Sequence, residues 1–241
     1  QLYLYTLSQN SKQKLTNSQN SIEKVSWSDD DKYLAFTSFV EKTKDHFIEM
    51  PEKPKGAKWN DPAIEIDNIK YRSDGKGYLN QGFSQIFILP VEGGTPRQIT
   101  TLKNDAKSPK WLSKSEIIFS SNLHENSDLE PRNSELYVID IKTKEIKVLT
   151  KRKGPDFSPL VSHDKSKIAY LGFDEKYLGY QQNDLYIMSR DGKNIQNVSK
   201  NFDRNITNIK WAKDDRGLYF QYDDKGMTKL SYISSSGKVK D

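Results

Sequence analysis

Histidines, cysteines and hydroxyl-bearing residues decide which chemistries this chain can run. Its 241 residues include three histidines, His46, His124 and His163, and no cysteine. Thiolate nucleophiles, disulfides and Cys-ligated zinc are therefore excluded. A catalytic serine needs a histidine beside it and an acid to orient that histidine, and on a strand-to-helix elbow it sits in Gly-x-Ser-x-Gly. Gly82-Phe83-Ser84-Gln85-Ile86 fails that pattern at its last position. His163 falls in a turn that holds Asp or Lys in related segments, and it reads as a solvated turn residue. His46 and His124 lie in two long loops, and no pair of histidines has metal-ligand spacing. Asp29-Asp30-Asp31 and Asp214-Asp215 are the right residue types for calcium or for acid/base work. They occupy turns, however, where Asp tightens the bend by bonding its own backbone. The expectation is no catalytic residue, no metal and no cofactor within the chain.

Charge and composition narrow the partners. There are 38 Lys and Arg against 33 Asp and Glu, a net +5, with 34% hydrophobic and 29% charged residues. Basic and acidic residues alternate, with no basic stripe interleaved with stacking aromatics of the kind nucleic acid requires. The charge reads as a solvated surface, with no nucleic-acid partner. No run approaches the ~18 apolar residues of a membrane span, and no charged-then-apolar leader opens the chain. No membrane partner is expected. The absence of cysteine fits a reducing compartment, hence an expected cytoplasmic location. The first residue, Gln1 rather than Met, suggests a processed or cut chain. Asn197-Val198-Ser199 and Asn205-Ile206-Thr207 match the glycosylation acceptor pattern, which a cytoplasmic protein does not use.

The elements that must position any site come from a repeat. The 13 Tyr, 10 Phe and 4 Trp fall mostly in short alternating runs typical of strands. One unit runs Val25-Ser26-Trp27-Ser28, an acidic turn, then Tyr33–Ser38. Its later copies are centred on Trp111 with Ile117–Ser121, on Val161 with Ile168–Tyr170, and on Trp211 with Leu218–Phe220. A second hairpin follows, with first strands at Gln85–Leu89, Glu135–Ile139 and Asp184–Met188, and closing strands at Gln98–Thr100, Val148–Thr150 and Asn197–Ser199. Trp111 to Val161 is 50 residues and Val161 to Trp211 another 50. Four strands in about 40–50 residues is the arithmetic of a β-propeller blade. The fold expected is all-β, a partial propeller of about four blades of four antiparallel strands. The blade parts are 1–16, 22–100 with an insertion at 40–83, 107–150, 156–199 and 206–234. Trp27, Trp111 and Trp211 are expected to pack between blades, as are Phe36, Phe119, Tyr170 and Phe220. Leu2–Leu7 and Lys14–Thr16 read as the outer half of a blade, and Lys229–Ile233 as a third strand without a fourth. Such an array leaves two sheet faces open, which favours pairing between copies and a homo-oligomer.

Trp27 to Trp111 spans 84 residues, 34 more than the other intervals. The excess opens Pro-rich at Met50–Gly56 and turns strand-like at Ile64–Arg72, before a turn at Ser73–Gly77. The stretch Tyr71-Arg72-Ser73-Asp74-Gly75-Lys76-Gly77-Tyr78, with Ile86–Leu89, Pro90–Thr100 and the loop from Asn122-Leu123-His124-Glu125 through Arg132 to Tyr137, resembles a known family. It resembles the propeller of acylaminoacyl-peptidase-type enzymes in the prolyl oligopeptidase family of serine peptidases. That resemblance implies that this chain is the middle of a seven-bladed propeller. It also implies an adjoining α/β-hydrolase domain of the same parent chain that carries a Ser-Asp-His triad, and a propeller that restricts entry to short peptides. The missing nucleophile elbow means the chain alone should be inactive. The blade motif is shared with Tol-like periplasmic propellers, which bind protein partners. A self-contained lyase or glycosidase would need acids and bases clustered at pore-facing strand ends, and none is legible.

Strand alternation puts the second-to-third loops and the blade-to-blade connections on one rim. Val40–Phe83 and Leu123–Asn133 are both enlarged second-to-third loops. Charged residues there, Arg72, Asp74, Glu125, Asp128, Glu130 and Arg132, are the candidates for binding peptide termini or docking the partner domain.

Overall fold

The computed structural model describes residues 1–42, 51–60 and 64–240; His46 lies outside them. Apart from a single turn of 3-10 helix at Leu7–Gln9, the described elements are all strands. A hairpin of β1 (Tyr3–Thr6) and β2 (Ser11–Lys14) comes first. The first full blade begins with β3 (Ile22–Trp27) and β4 (Tyr33–Glu41). The chain then leaves the sheet for a small hairpin, β5 (Arg72–Ser73) and β6 (Gly77–Tyr78), and returns as β7 (Gly82–Pro90) and β8 (Arg97–Gln98). The second blade is β9 (Lys107–Trp111), β10 (Glu116–Ser121), β11 (Glu135–Asp140) and β12 (Ile146–Val148). The third is β13 (Asp156–Val161), β14 (Lys167–Gly172), β15 (Asp184–Ser189) and β16 (Gln196–Asn197). The fourth is β17 (Thr207–Trp211), β18 (Gly217–Asp224), β19 (Met227–Ser234) and β20 (Val239–Lys240). Each blade is an antiparallel meander, and the first strands of consecutive blades are spatial neighbours.

The fold is the expected propeller-type array, with three differences. β19 does have a fourth partner: Tyr232 pairs with Lys240 and Ile233 with Val239. That strand is two residues long and follows a turn closed by Gly237 at φ 84°, so its alternation was too short to read. Ile64–Lys70 forms no strand, and only Arg72–Ser73 pairs, with Gly77–Tyr78. Ile64, Ile66 and Ile69 are exposed because no neighbouring sheet offers them a face. Trp27 is 47% exposed, whereas Trp111 and Trp211 are 2% and 4%. The two buried rings explain the third. Trp111 Nε1 donates to Ser26 O at 3.3 Å, and Trp211 Nε1 donates to Leu160 O at 2.9 Å. Each indole therefore reaches the inner strand of the preceding blade. The blade preceding Trp27 contributes only β1 and β2 here, its outer half, so the ring has no inner strand to cover it.

Second-strand aromatics form the core at each seam. Phe36, Phe119, Tyr170 and Phe220 are all buried. Phe36 packs with Leu34 and Leu89 against Leu2, Leu4 and Leu15 of the first hairpin. Phe119 joins Ala35, Ile86 and Trp111 between the first and second blades. Burying each such ring is worth roughly 1.5–3 kcal/mol. Every inner strand also carries a bulge, marked by one non-glycine residue in the left-handed region: Lys24, Ser108, Ser158 and Asn208, at φ 48–54°. Each stands three residues before the Trp or Val of its repeat, so the added local twist recurs at one level of the array.

A second device recurs at the opposite corner of the blades. The hydroxyls of Thr16, Thr100, Thr150 and Ser199 accept the backbone N–H of Leu2, Ile86, Leu136 and Leu185 at 2.8–2.9 Å. Each hydroxyl then donates to the side chain 15 residues upstream: Gln1, Gln85, Glu135 and Asp184. This clasp ties the end of the fourth strand to the start of the third.

Candidate functional site

The enlarged connections meet at one rim, as the strand directions require. The β4–β7 excursion is folded back onto it: Lys42 Nζ pairs with Asp67 Oδ2 at 2.6 Å, and Gln81 Nε2 donates to Glu65 O at 3.0 Å. The β5–β6 hairpin is closed by the N–H of Lys76 donating to Ser73 O, and Tyr71 lies across from Tyr78 with ring centroids 6.2 Å apart. These segments, the β10–β11 loop and the inner-strand ends of the second and third blades border an open cleft of about 1350 Å³ lined by both polar and apolar groups. Its wall carries Tyr71, Lys76 and Tyr78 from the insertion, Asp105 and Lys107 from the second blade's entry, and Asn122, Asp128 and Arg132 from the second loop. Ser121 Oγ, buried in that wall, has no hydrogen-bond partner among the described residues.

Of the six charged candidates, Asp128 and Arg132 reach this cavity. Arg72 and Asp74 stand exposed on the β5–β6 hairpin, with Arg72 in β5 and Asp74 in its turn, and Glu125 is exposed in the loop before Asp128. Glu130 pairs with Lys153 Nζ at 3.3 Å and accepts Asn133 Nδ2 at 3.1 Å. Arg132 Nε pairs with Glu175 Oε2 at 2.9 Å. These two loop charges therefore cross from the second blade to the third.

Sequence reasoning passed over the ionisable groups beneath them. Arg152 pairs with Asp156, with Asp174 at 3.1 Å and with the Tyr186 hydroxyl at 3.1 Å, while its guanidinium lies 4.4 Å from the Tyr186 ring centroid. Glu135 accepts the Thr150 hydroxyl at 2.5 Å, and its Oε1 lies 3.7 Å from His124 Nε2. Burial pushes the Glu135 carboxyl up to about 7; Asp156 adds to the rise, and Thr150 and Arg152 work against it. Burial also raises Asp156, against the pull of Arg152, and raises the Tyr170 hydroxyl. Burial works against the charge of Arg152, yet Asp156, Tyr186 and Asp174 together outweigh it and leave the guanidinium raised. The available signal was the 15-residue spacing, in which neutral Gln85 of the first blade becomes Glu135 in the second.

His163 is more than a solvated turn residue. Its N–H and its Nδ1 both meet Asp215 Oδ1, at 3.0 and 2.7 Å, linking the inner turns of the third and fourth blades. The acidic turns otherwise behave as read: Asp30 and Asp214 accept the backbone N–H two residues on. Among the described residues no group of three or more His, Asp or Glu side chains is placed to hold a metal, and no helix is long and apolar enough to cross a membrane. Among the described residues, His124 faces the Glu135 carboxylate and no hydroxyl is hydrogen-bonded to its ring, so no Ser-His-Asp arrangement is assembled there.

A model of the dipeptidyl peptidase IV (DPP IV) N-terminal region matches residues 40–175, more than half of the chain. The chain belongs to that family. It is 24% identical over 259 aligned positions to the uncharacterized peptidase YuxL of Bacillus subtilis, matching 99% of this chain and 38% of that protein. Among solved structures, the acylaminoacyl peptidase of Pyrococcus horikoshii superposes with a TM-score of 0.72 at 18% identity, over 99% of this chain and 34% of its own. TolB from Acinetobacter baumannii superposes at 0.65 with 14% identity, over 98% of this chain and 46% of its own. The chain thus spans about two fifths of the length of the B. subtilis relative.

Proposed function

We propose, starting from membership of the DPP IV N-terminal family, that this chain is the propeller region of a peptidase similar to acylaminoacyl peptidase. In this reading its enlarged rim gates the entry of short peptides and docks an α/β-hydrolase domain elsewhere in the parent protein. The observation that carries it is the open cleft of about 1350 Å³, bordered by the enlarged loops of one rim and bearing Asp128 and Arg132. A cavity with both charge signs and many hydroxyl and amide groups suits the termini and backbone of a peptide. The share of the B. subtilis peptidase that the chain leaves unmatched is ample for a catalytic domain. The lack of cysteine supports a reducing, cytoplasmic setting for the parent.

The reading is tested on the parent protein with peptides of graded length. Gating predicts that turnover falls steeply with length, and that Asp128→Ala with Arg132→Ala flattens this fall. Length-independent turnover in the wild type, or an unchanged profile in the double variant, would refute it. The Tol-like reading draws on the TM-score of 0.65 to TolB. It predicts an export signal ahead of Gln1 and no Gly-x-Ser-x-Gly after Asp241 in the source reading frame.

A further inference from the structure

The second and third blades meet without a tryptophan. At the seams on either side an indole N–H bridges inner strands, but Val161 occupies the third blade's equivalent position. Charge crosses this seam instead. Arg152, from the connection between the blades, holds Asp156 of β13 and Asp174 of the β14–β15 loop, while Glu130–Lys153 and Arg132–Glu175 flank it. The hydroxyls of Ser120 and Ser134 both donate to the backbone carbonyl of Asp156, at 2.7 and 3.1 Å.

Into this seam the second-blade clasp places an acid. Glu135 is 1% exposed and lies at a second cavity, of about 520 Å³, beside His124 and the basic run Lys151–Lys153. Its carboxylate is faced by the Thr150 hydroxyl from the end of β12, by His124 from the loop before β11, and by Arg152 and Asp156 across the seam. Tyr137 of its own strand and Tyr170 of β14 feel its charge, and Tyr186 of β15 holds Arg152 from the far side. The first blade performs the same clasp with Gln85, which cannot ionise.

We propose that the seam between the second and third blades is a proton-operated joint, closed when Glu135 carries a proton and loosened when it is ionised. Arg132 and Ser134 belong to both this seam and the wall of the large cavity, so loosening the joint alters that cavity. With its carboxyl pushed up to about 7, Glu135 changes state in the neutral range. The folded value is raised above that of the unfolded chain. Its contribution to the joint is therefore complete below the ordinary carboxylate range and is lost as pH rises through about 7.

Amide hydrogen exchange on the intact chain at pH 6 and pH 8, corrected for intrinsic rates, tests this. The probes are the N–H groups of Leu136, Leu149 and Asp156 at the joint, against those of Ile86, Ile99 and Ala106 in the matching first-blade positions. Joint protection should fall about tenfold relative to the first blade, the scale of one pK unit. Glu135→Gln should abolish the difference, and His124→Ala should keep it. Parallel behaviour in the two blades would overturn the proposal. So would a pH response that survives Glu135→Gln or vanishes in His124→Ala. Should Glu135→Gln fail to fold, the wild-type comparison between blades still decides.

Discussion

Asp215 holds the backbone N–H groups of both His163 and Asp164 and meets the His163 ring, all from the next inner turn. Burial alone would raise its carboxyl, but these partners outweigh it and leave the group below its ordinary value. A depressed folded value makes this contribution complete above the ordinary carboxylate value of roughly 4 and lost as pH falls from there through the lower folded value. Asp215→Ala removes the acceptor of two backbone N–H groups in an exposed turn, which should cost about 1 kcal/mol at pH 7. Urea unfolding at pH 7 and pH 3 checks it: the difference between wild type and variant should shrink at the lower pH. A constant difference would show that the carboxylate charge is not what holds the turns. Glu135 has the opposite sign. Replacing it with Gln should stabilise the chain at pH 8 by up to about 3 kcal/mol and change little at pH 4, the range set by its rise to about 7. Denaturant midpoints across that range measure this; a stabilisation equal at both pH values would rule out its titration as the cause.

At the scale of strands, a blade is joined to its neighbours by a buried second-strand aromatic and by the indole of its inner strand. Trp211→Phe keeps most of the ring and leaves Leu160 O without its donor, so a loss of about 1 kcal/mol is expected. Phe220→Ala empties a fully buried site between the third and fourth blades, and should cost about 3–5 kcal/mol. Calorimetric unfolding of both variants separates these terms; equal losses would mean that the hydrogen bond rather than the packing governs the seam. The same contrast explains what was legible in the sequence. The second-strand aromatics stand in alternating runs, 50–51 residues apart once the interval holding the insertion is set aside, and each is buried as that repeat implied. β20 and the failed strand at Ile64–Lys70 did not, because two residues are too few to alternate and seven apolar-alternating residues need a partner sheet. The inner-strand bulges were invisible for a different reason. Lys24, Ser108, Ser158 and Asn208 share a backbone conformation but comprise three residue types, none of them glycine. The rim candidates were found as charges on long loops. Their pairing across the second seam depended on Lys153 and Glu175, which belong to other loops altogether.

For the molecule as a whole, the two ends of the array are unlike its interior. Trp27 and Val25 are exposed on the first blade, and Tyr219, Met227 and Leu230 on the fourth. At their places in the repeat other blades keep such residues covered: Trp111 and Trp211, equivalent to Trp27, and Leu136 and Leu185, equivalent to Leu230, are all buried. Exposed apolar sheet faces of this kind pair with other copies or with further blades. If the parent protein continues the propeller, an inner strand must lie over Trp27 and offer its indole a carbonyl, as Ser26 does for Trp111. Acrylamide quenching distinguishes the cases once Trp59, Trp111 and Trp211 are replaced by Phe, leaving Trp27 as the sole reporter. In the isolated chain at low concentration its fluorescence should be readily quenched and red-shifted. In the parent protein, with every tryptophan other than Trp27 replaced by Phe, it should be shielded and blue-shifted. Equal quenching in both would mean that no blade packs on this face and that the first hairpin ends the array. Shielding that appears in the isolated chain only as concentration rises would instead identify a second copy as the cover.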